Sequence, residues 1–259
     1  AGEGLRRCLN AVNALPQRVE FVITGGDLIM DALEVDNDRL KVQWDLFDEC
    51  WKNLEAPAYH TLGNHDVGGW SAKGQIQPAA YEYGKKLFSD RYGKGRTYSS
   101  WDHGGWHFVS LDSIGQNTAT LDYYGWVDEE QQEWLKNDLA HVGTSVPVCL
   151  VTHIPLYSVW GQMNGDPRQG ENAKSLINNA HILRKLLARF NVKLVLCGHG
   201  HVVERIQFGH TTYIQGGAVS GLWWKGPSVG NPEGYGVVTC RSDGSFDYDY
   251  CGYGWQAVK

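Results

Sequence analysis

Continuous apolar runs alternate with amphipathic segments along most of the chain. The apolar runs predict buried strands at 19–24, 58–62, 146–153 and 192–201. Apolar residues at helical spacing predict helices at 1–15, 38–54, 78–89, 128–140 and 173–190. Strands that alternate with helices in this way are typical of an α/β fold with parallel strands.

Turn residues rather than helices separate the remaining strand-like runs. Segments 97–101 and 106–113 flank a glycine-containing turn and predict a hairpin. After residue 201 only strand-like runs follow, at 203–208, 211–216, 235–241 and 245–251. Because no repeat, low-complexity tract or linker interrupts the pattern, we expect residues 1–259 to form a single α/β domain that ends in a meander.

Length and charge narrow the classes of function. The 259 residues are ample for a buried core, and the formal net charge is -6. This acidic balance disfavours a nucleic-acid polymer as partner, but a small phosphoester remains open because bound cations can supply positive charge locally. No apolar run is long enough to span a membrane, so we expect a soluble protein, either cytoplasmic or exported. The six cysteines show no CxxC spacing, which leaves disulfides, compartment and oligomeric state open.

Polar side chains follow four of the strand-like runs at the point where each run ends. These residues are Asp27, then Asn64, His65 and Asp66, then His153, and finally His199 and His201. Sites in open α/β sheets form at the carboxyl ends of strands, so residues that are distant in sequence can meet there. Oxygen and imidazole donors without a thiolate suit Mn, Fe or Zn.

Each of these residues also has a purely structural interpretation. Asp27 alone would commonly cap the following loop, and His153 alone would commonly be a hydrogen-bonded residue at a strand end. His199 and His201 favour metal binding, because alternate residues of an extended chain project to one side. The remaining histidines have no suitable partners near them in sequence and are interpreted as structural: His60, His103, His107, His141, His181 and His210.

The segments "GGDLIMD", "GNHD", "VTHIP" and "GHGH" resemble four of the five motifs of the calcineurin-like metallophosphoesterases. They occur in the order of the family and extend from about residue 25 to residue 201. The resemblance implies a sandwich of two mixed β-sheets flanked by α-helices. It also implies a metal-dependent phosphoesterase that hydrolyses phosphate mono- or diesters with two ions, Mn, Fe or Zn.

The resemblance implies a role for each residue at the strand ends. Asp27 bridges the two metal ions, and His201 binds the first ion. The implied ligands of the second ion, besides Asp27, are Asn64, His153 and His199. His65 is not a ligand but protonates the leaving oxygen or stabilises the phosphoryl charge, and Asp66 orients His65.

The implied mechanism depends on a pair of ions roughly 3.5–4 Å apart, which clamp the phosphoryl group and acidify a shared water. The metal-bridging hydroxide then attacks phosphorus in line with the departing oxygen. Positioning and charge stabilisation are the main contributions of the protein in such a reaction.

The sequence departs from the family pattern at two places. The first motif, Asp-x-His, is missing, which leaves Asp27 and His201 for the first ion. We expect the opening strand and this motif to lie upstream of Ala1; otherwise the first metal site lacks most of its ligands.

Purple acid phosphatases carry a metal-binding Tyr three residues after the bridging Asp, where this chain has Met30. A purple Fe(III)–tyrosinate centre is therefore not expected.

The missing motif leaves a second function open, a catalytically impaired binding or scaffold domain of the same fold. Retention of His65 argues against it, because a scaffold needs no acid for a leaving group. A nucleotide-binding α/β domain without metal is disfavoured, because "TGGDLIMD" lacks both GxGxxG and a phosphate-loop Lys.

Two irregular segments after the ligand strands, 156–172 and 221–234, are the candidates for substrate binding. Their candidate side chains are Tyr157, Trp160, Asn164, Trp223, Trp224 and Lys225. Paired tryptophans suit stacking on a base or sugar, and they equally suit packing under the sheet. A nucleotide, a glycerophosphodiester, a lipid head group and a phosphoprotein all remain open as substrates.

Overall fold

The computed structural model describes residues 1–165 and 172–257. The helices are α1 (Gly2–Asn13), α2 (Asn37–Trp51), α3 (Lys86–Arg91), α4 (Glu129–Val142), α5 (Trp160–Asn164) and α6 (Ala180–Leu187). The strands are β1 (Val22–Thr24), β2 (Ala58–His60), β3 (Ser99–His103), β4 (Trp106–Ser110), β5 (Ile114–Asn117), β6 (Asp122–Gly125), β7 (Val148–Thr152), β8 (Val192–Cys197), β9 (Val203–Phe208), β10 (Thr211–Gly216), β11 (Gly234–Cys240) and β12 (Phe246–Gly252).

A mixed six-stranded sheet with the order β3-β4-β7-β8-β10-β9 forms the centre of the fold. Its four inner strands pair in parallel, and the two edge strands pair antiparallel to their neighbours. Every residue of β4 and β7 is buried. Burial on both faces explains why these strands are continuous apolar runs rather than alternating ones.

Different layers cover the two faces of this sheet. One face packs on α2, α4 and α6 through a core that includes Trp44, Leu139 and Leu183. The other face packs on residues of β1, β11 and β12, with Ile23, Val238 and Phe246 among them. Strands β1 and β2 form a parallel pair, and β11 and β12 form an antiparallel pair. The expected α/β sandwich of β-sheets with flanking helices is thereby confirmed.

The helix predicted at 78–89 is wrong in its first part, because the structure has only α3 there. Gly84 has a φ of +74° and exchanges two backbone hydrogen bonds with Gly68, at 2.8 and 2.9 Å. This bridge holds the chain in a non-helical turn until shortly before α3 begins.

The helix predicted at 173–190 is also too long, since α6 begins only at Ala180. The side chain of Asn179 donates to the carbonyl of Val127 at 2.7 Å and accepts from the amide of Val127 at 3.2 Å. Asparagine side chains that bond to the backbone compete with helix formation. The segment before α6 is therefore held against the end of β6 instead of forming a helical turn.

The strand β2 ends in a histidine that lies among aromatic rings. The ring centroid of His60 lies 4.9 Å from that of Trp51, 4.5 Å from that of Tyr92 and 5.7 Å from that of Phe47. Burial lowers the pKa of His60 to about 4. His60 is thus a neutral packing residue in the folded protein at neutral pH.

Replacing His60 with Phe should make the free energy of unfolding depend less on pH in the acidic range. In the wild type the unfolded chain takes up a proton on His60 near pH 6.5, whereas the folded chain does so only near pH 4. The free energy of unfolding should therefore fall between pH 6.5 and pH 4.5 by roughly 2 kcal/mol more in the wild type than in the variant. Urea unfolding at several pH values measures this difference, and parallel pH profiles would contradict it.

Candidate metal centre

The chain brings four strand ends to one edge of the fold, as the sequence pattern predicts. Asp27 follows β1, and Asn64 lies in a 3₁₀ turn that follows β2. His153 and His199 follow the neighbouring parallel strands β7 and β8. Asp27, His199 and His201 have φ values of +53°, +68° and +53°, a left-handed conformation that is uncommon outside glycine. Such strained backbone clusters at functional sites.

The side chains of Asp27, His153 and His199 converge, and each offers one donor atom within 4.8 Å of the others. His153 Nε2 lies 3.3 Å from Asp27 Oδ1 and 3.1 Å from His199 Nδ1. Asn64 Oδ1 lies 3.0 Å from both of these ring nitrogens. Two imidazole nitrogens, an amide oxygen and a carboxylate thus face one small volume. This donor set fits Mn, Fe or Zn, as expected from the sequence.

Outer hydrogen bonds direct the lone pairs of the imidazoles. His153 Nδ1 lies 2.6 Å from the carbonyl oxygen of Gly25, so that nitrogen carries a proton and Nε2 is the ring nitrogen that faces the other donors. His201 Nδ1 lies 2.8 Å from the carbonyl oxygen of Gly221, which leaves its Nε2 as the potential ligand. Metal-binding histidines in proteins are oriented by such contacts.

The electrostatics of the site favour neutral imidazoles at His199 and His201 beside an ionised carboxylate at Asp27. Burial lowers the pKa of His199 to about 3, and burial also lowers the pKa of His201. Burial raises the pKa of Asp27, but the charges of His153 and His65 and the hydrogen bonds from both residues together outweigh burial and hold this pKa below its usual range. Burial lowers the pKa of His153, and the Asp27 carboxylate more than reverses this effect. Neutral imidazole and ionised carboxylate are the forms that bind metals.

His65 projects from the same turn but lies beside other partners. Its backbone N–H donates to Asp27 Oδ1 at 2.9 Å, and its ring lies 5.0 Å from the ring of Trp223. Its Nδ1 lies 3.6 Å from Asp31 Oδ1, an ionic contact rather than a hydrogen bond. Burial lowers the pKa of His65, and the Asp31 and Asp27 carboxylates together more than reverse this effect. Sequence reasoning missed Asp31, although it lies in the quoted motif "GGDLIMD".

The expectation that Asp66 orients the His65 ring is wrong. Asp66 is 1% exposed, and its carboxylate accepts from the backbone amides of Leu28 at 2.7 Å, Ile29 at 3.2 Å and Gly63 at 2.8 Å. These bonds use both carboxylate oxygens and join the loop after β1 to the loop after β2. Burial raises the pKa of Asp66 to about 7. Asp66 therefore fixes the backbone that carries the site, and it does not act on the His65 ring.

A glycine lets these two loops approach each other. A Cβ atom on Gly63 would lie 2.1 Å from the backbone nitrogen of Asp27 and 2.2 Å from its Oδ1. No side chain could be accommodated there without displacing the Asp27 carboxylate. By contrast, a Cβ on Gly25 would meet its nearest atom at 3.5 Å, which is ordinary contact.

The first candidate segment for substrate binding borders the site only in part. Trp160 lines a cavity of about 220 Å³ that also contacts His199. The ring of Tyr157 packs against that of Tyr213 at 5.2 Å, and Asn164 is exposed with its amide bonded to the carbonyl of Trp160. Residues 166–171 of this segment lie outside the described residues.

The two tryptophans of the second segment have different environments. Trp223 is 38% exposed, and its ring lies 5.2 Å from the ring of His201. Trp224 packs over Gly4 of α1 and lies edge-on to Trp255 at 5.7 Å. The N-terminal helix covers part of the Trp224 ring, and stacking of this ring on a substrate stays a prediction. Lys225 is exposed.

The sequence profile of the calcineurin-like phosphoesterases matches residues 3–203 of the chain. The chain belongs to this family. Membership supports a general phosphoesterase function and implies divalent metal ions. In the part of the chain that the structure describes, no helix is long and apolar enough to cross a membrane.

Similar proteins agree with this assignment at low identity. Purple acid phosphatase 15 of Arabidopsis thaliana is 29% identical over 177 residues, which cover 65% of this chain and 29% of the relative. Purple acid phosphatase 23 of the same plant is 26% identical over 63% of this chain and 33% of its own length. The chain thus spans about a third of the length of these relatives.

Solved structures share the fold. A dimetal phosphatase from Danio rerio superposes with a TM-score of 0.67 at 15% identity and covers 97% of this chain and 86% of its own. GAP50 of Plasmodium, the anchor in the inner membrane complex, superposes with a TM-score of 0.57 at 16% identity and covers 100% of this chain and 82% of its own. At these identities the likeness concerns the fold alone.

Replacing Gly63 with Ala should weaken metal binding, whereas replacing Gly25 with Ala should not. The added methyl group at residue 63 collides with Asp27, so we expect Mn²⁺ affinity to fall roughly tenfold or more. Titration calorimetry on protein stripped with a chelator measures the affinity of each variant. Equal affinities for the two variants would show that the position of Asp27 does not matter for binding.

Proposed function

We propose that residues 1–259 form one metallophosphoesterase domain that hydrolyses phosphate mono- or diesters with two bound ions, Mn, Fe or Zn. The observation that supports this proposal is the convergence of Asp27, Asn64, His153 and His199 around one small volume. The family membership supplies the reaction class. A small phosphoester is the proposed partner.

The convergence of Asp27, Asn64, His153 and His199 supports one ion site, and the role of His201 follows from the family resemblance. Asp27, Asn64, His153 and His199 would hold one ion, and Asp27 would share a second ion with His201. Bound metal ions of this kind acidify a water and neutralise phosphoryl charge. Met30, three residues after Asp27, offers no phenolate, so we expect no tyrosinate colour.

His65 would protonate the leaving oxygen. Its ring is partly exposed and lies beside the donor set, because its own backbone amide is bonded to Asp27. We propose that Asp31 is a positioning residue for this ring, since its carboxylate lies 3.6 Å from His65 Nδ1 and favours the protonated imidazole. The opposite nitrogen, Nε2, would then deliver the proton.

The side chains at the rim of the site are weaker proposals. Trp160 would contact the substrate from the cavity beside His199, and Trp223 from the side of His65. Tyr157, Asn164 and Lys225 remain candidates only through their places in the two segments.

A binding or scaffold domain is the alternative function, and the fold shared with the Plasmodium anchor GAP50 favours it. Against it stands the converging set of metal-type donors, which a scaffold does not need. Metal analysis separates the two functions. About two tightly bound ions per full-length chain support the enzyme, and a chain without bound ions supports the scaffold.

Replacing Asn64 with Ala should abolish hydrolysis of bis(p-nitrophenyl) phosphate. The substitution removes the oxygen that lies 3.0 Å from both His153 Nε2 and His199 Nδ1. Asn137→Ala is a matched control, because Asn137 is exposed on α4. Initial rates with Mn²⁺, Fe²⁺ and Zn²⁺ in turn measure the effect, and near-normal turnover by Asn64→Ala would refute the assignment.

Replacing His65 with Ala should slow turnover while leaving the metal content unchanged. Loss of a general acid costs roughly 10²- to 10⁴-fold, and the loss should be larger for an alkyl ester than for a p-nitrophenyl ester, whose leaving group needs no proton. Steady-state kinetics with both esters, together with metal analysis, test the role. Equal losses for the two esters would argue that His65 stabilises charge instead of donating a proton.

A further inference from the structure

The ring of Trp223 lies beside the rings of His65 and His201. Its ring centroid is 5.0 Å from that of His65, with an interplanar angle of 74°, and 5.2 Å from that of His201, with an angle of 37°. His65 is the proposed acid for the leaving oxygen, so the group attached to that oxygen lies beside His65. The partly exposed indole of Trp223 is then its neighbour.

The backbone around Trp223 is held in an unusual conformation. Trp223 and Trp224 have φ values of +54° and +64°, two successive non-glycine residues in the left-handed region. This conformation is unfavourable for L-amino acids other than glycine. It is maintained by hydrogen bonds from Trp224 N to Ser220 O at 2.6 Å and from Leu222 N to Gly226 O at 2.8 Å.

Two further contacts tie this turn to the rest of the molecule. The carbonyl of Gly221 accepts from His201 Nδ1 at 2.8 Å, so the turn and a proposed metal ligand move together. On the other side, the ring of Trp224 lies over Gly4, where a Cβ atom would come within 2.1 Å of it. The packing of the Trp224 ring on α1 thus anchors the turn, and the turn exposes the Trp223 ring beside His65 and His201.

The chemistry of this surface selects the kind of leaving group. An indole offers a flat, apolar face, and a planar ring stacks on such a face more favourably than a small polyol does. A rigid turn adds to this preference, because little side-chain freedom is lost on binding.

We propose that Trp223 is a specificity-determining residue that makes the site prefer phosphoesters whose leaving group carries an aromatic ring close to the phosphate. This inference rests on the proposed function, since it takes the position of the leaving group from the role of His65. Two classes of leaving group, an aryl alcohol and a nucleoside, both supply such a planar ring.

A pair of non-hydrolysable ligands tests the inference without turnover. Phenylphosphonate and methylphosphonate differ only in the ring, and calorimetry on the Mn²⁺-loaded protein gives the affinity of each. The wild type should bind phenylphosphonate roughly tenfold more tightly. Trp223→Leu should bring the ratio close to one, and Trp223→Phe should largely retain it. Leu222→Ala, an exposed neighbour in the same turn, should match the wild type.

Hydrolysis of three esters supplies the second measurement. For Trp223→Leu relative to the wild type, kcat/KM for phenyl phosphate and for a nucleoside 5′-monophosphate should fall roughly tenfold, and kcat/KM for glycerol phosphate less than twofold. If kcat/KM falls only for phenyl phosphate, the site takes an aryl alcohol as the leaving group. If kcat/KM falls only for the nucleotide, the site takes a nucleoside.

Two results overturn the inference while the proposed function stands: equal affinity of the wild type for both phosphonates, or equal losses of kcat/KM for all three esters. A wild type that hydrolyses no ester and binds neither phosphonate overturns the proposed function, and the inference with it.

Discussion

The close approach of nitrogen and oxygen donors at one edge of the sheet is the constraint on which the rest of the site depends. His153 Nε2 and His199 Nδ1 lie 3.1 Å apart, and Asn64 Oδ1 faces both. Lone pairs that face one another are unfavourable unless a proton or a cation lies between them. Burial lowers the pKa of His199 and so opposes its protonation, and we propose a metal cation as the partner that satisfies the set.

The scaffold maintains this arrangement mainly through its backbone. Parallel strands β7 and β8 bring His153 and His199 together, and the Asp66 carboxylate joins the loops that carry Asp27 and Asn64. The functional side chains therefore sit on rigid strand ends rather than on long loops. Such pre-organisation spares the protein the cost of assembling the site when an ion or a substrate binds.

The sequence was sufficient to predict the sheet and the converging donors, because both depend on short-range patterns. Buried strands appear as apolar runs in the sequence. Polar residues directly after parallel strands lie at the same edge of the sheet, whatever the conformation of the loops that follow. Asp27, His153 and His199 were found in this way, and the geometry brings them together. Their roles as ligands remain a proposal.

Features that depend on tertiary contacts could not be predicted. The late start of α6 depends on bonds between Asn179 and the distant Val127, and the hairpin of β5 and β6 gives no clear alternation of apolar and polar residues. The contact of Asp31 with His65 joins residues of two different loops. Likewise, only the fold shows that Trp224 is an anchor, because its partner is a glycine at the start of the chain.

Anomalous diffraction from crystals grown with Mn²⁺ tests the central claim most directly. We expect a strong anomalous peak enclosed by the Asp27 carboxylate, the Asn64 amide oxygen, His153 Nε2 and His199 Nδ1, at ligand distances. A structure in which these groups hydrogen-bond to one another directly, with the manganese bound elsewhere or absent, would contradict the account.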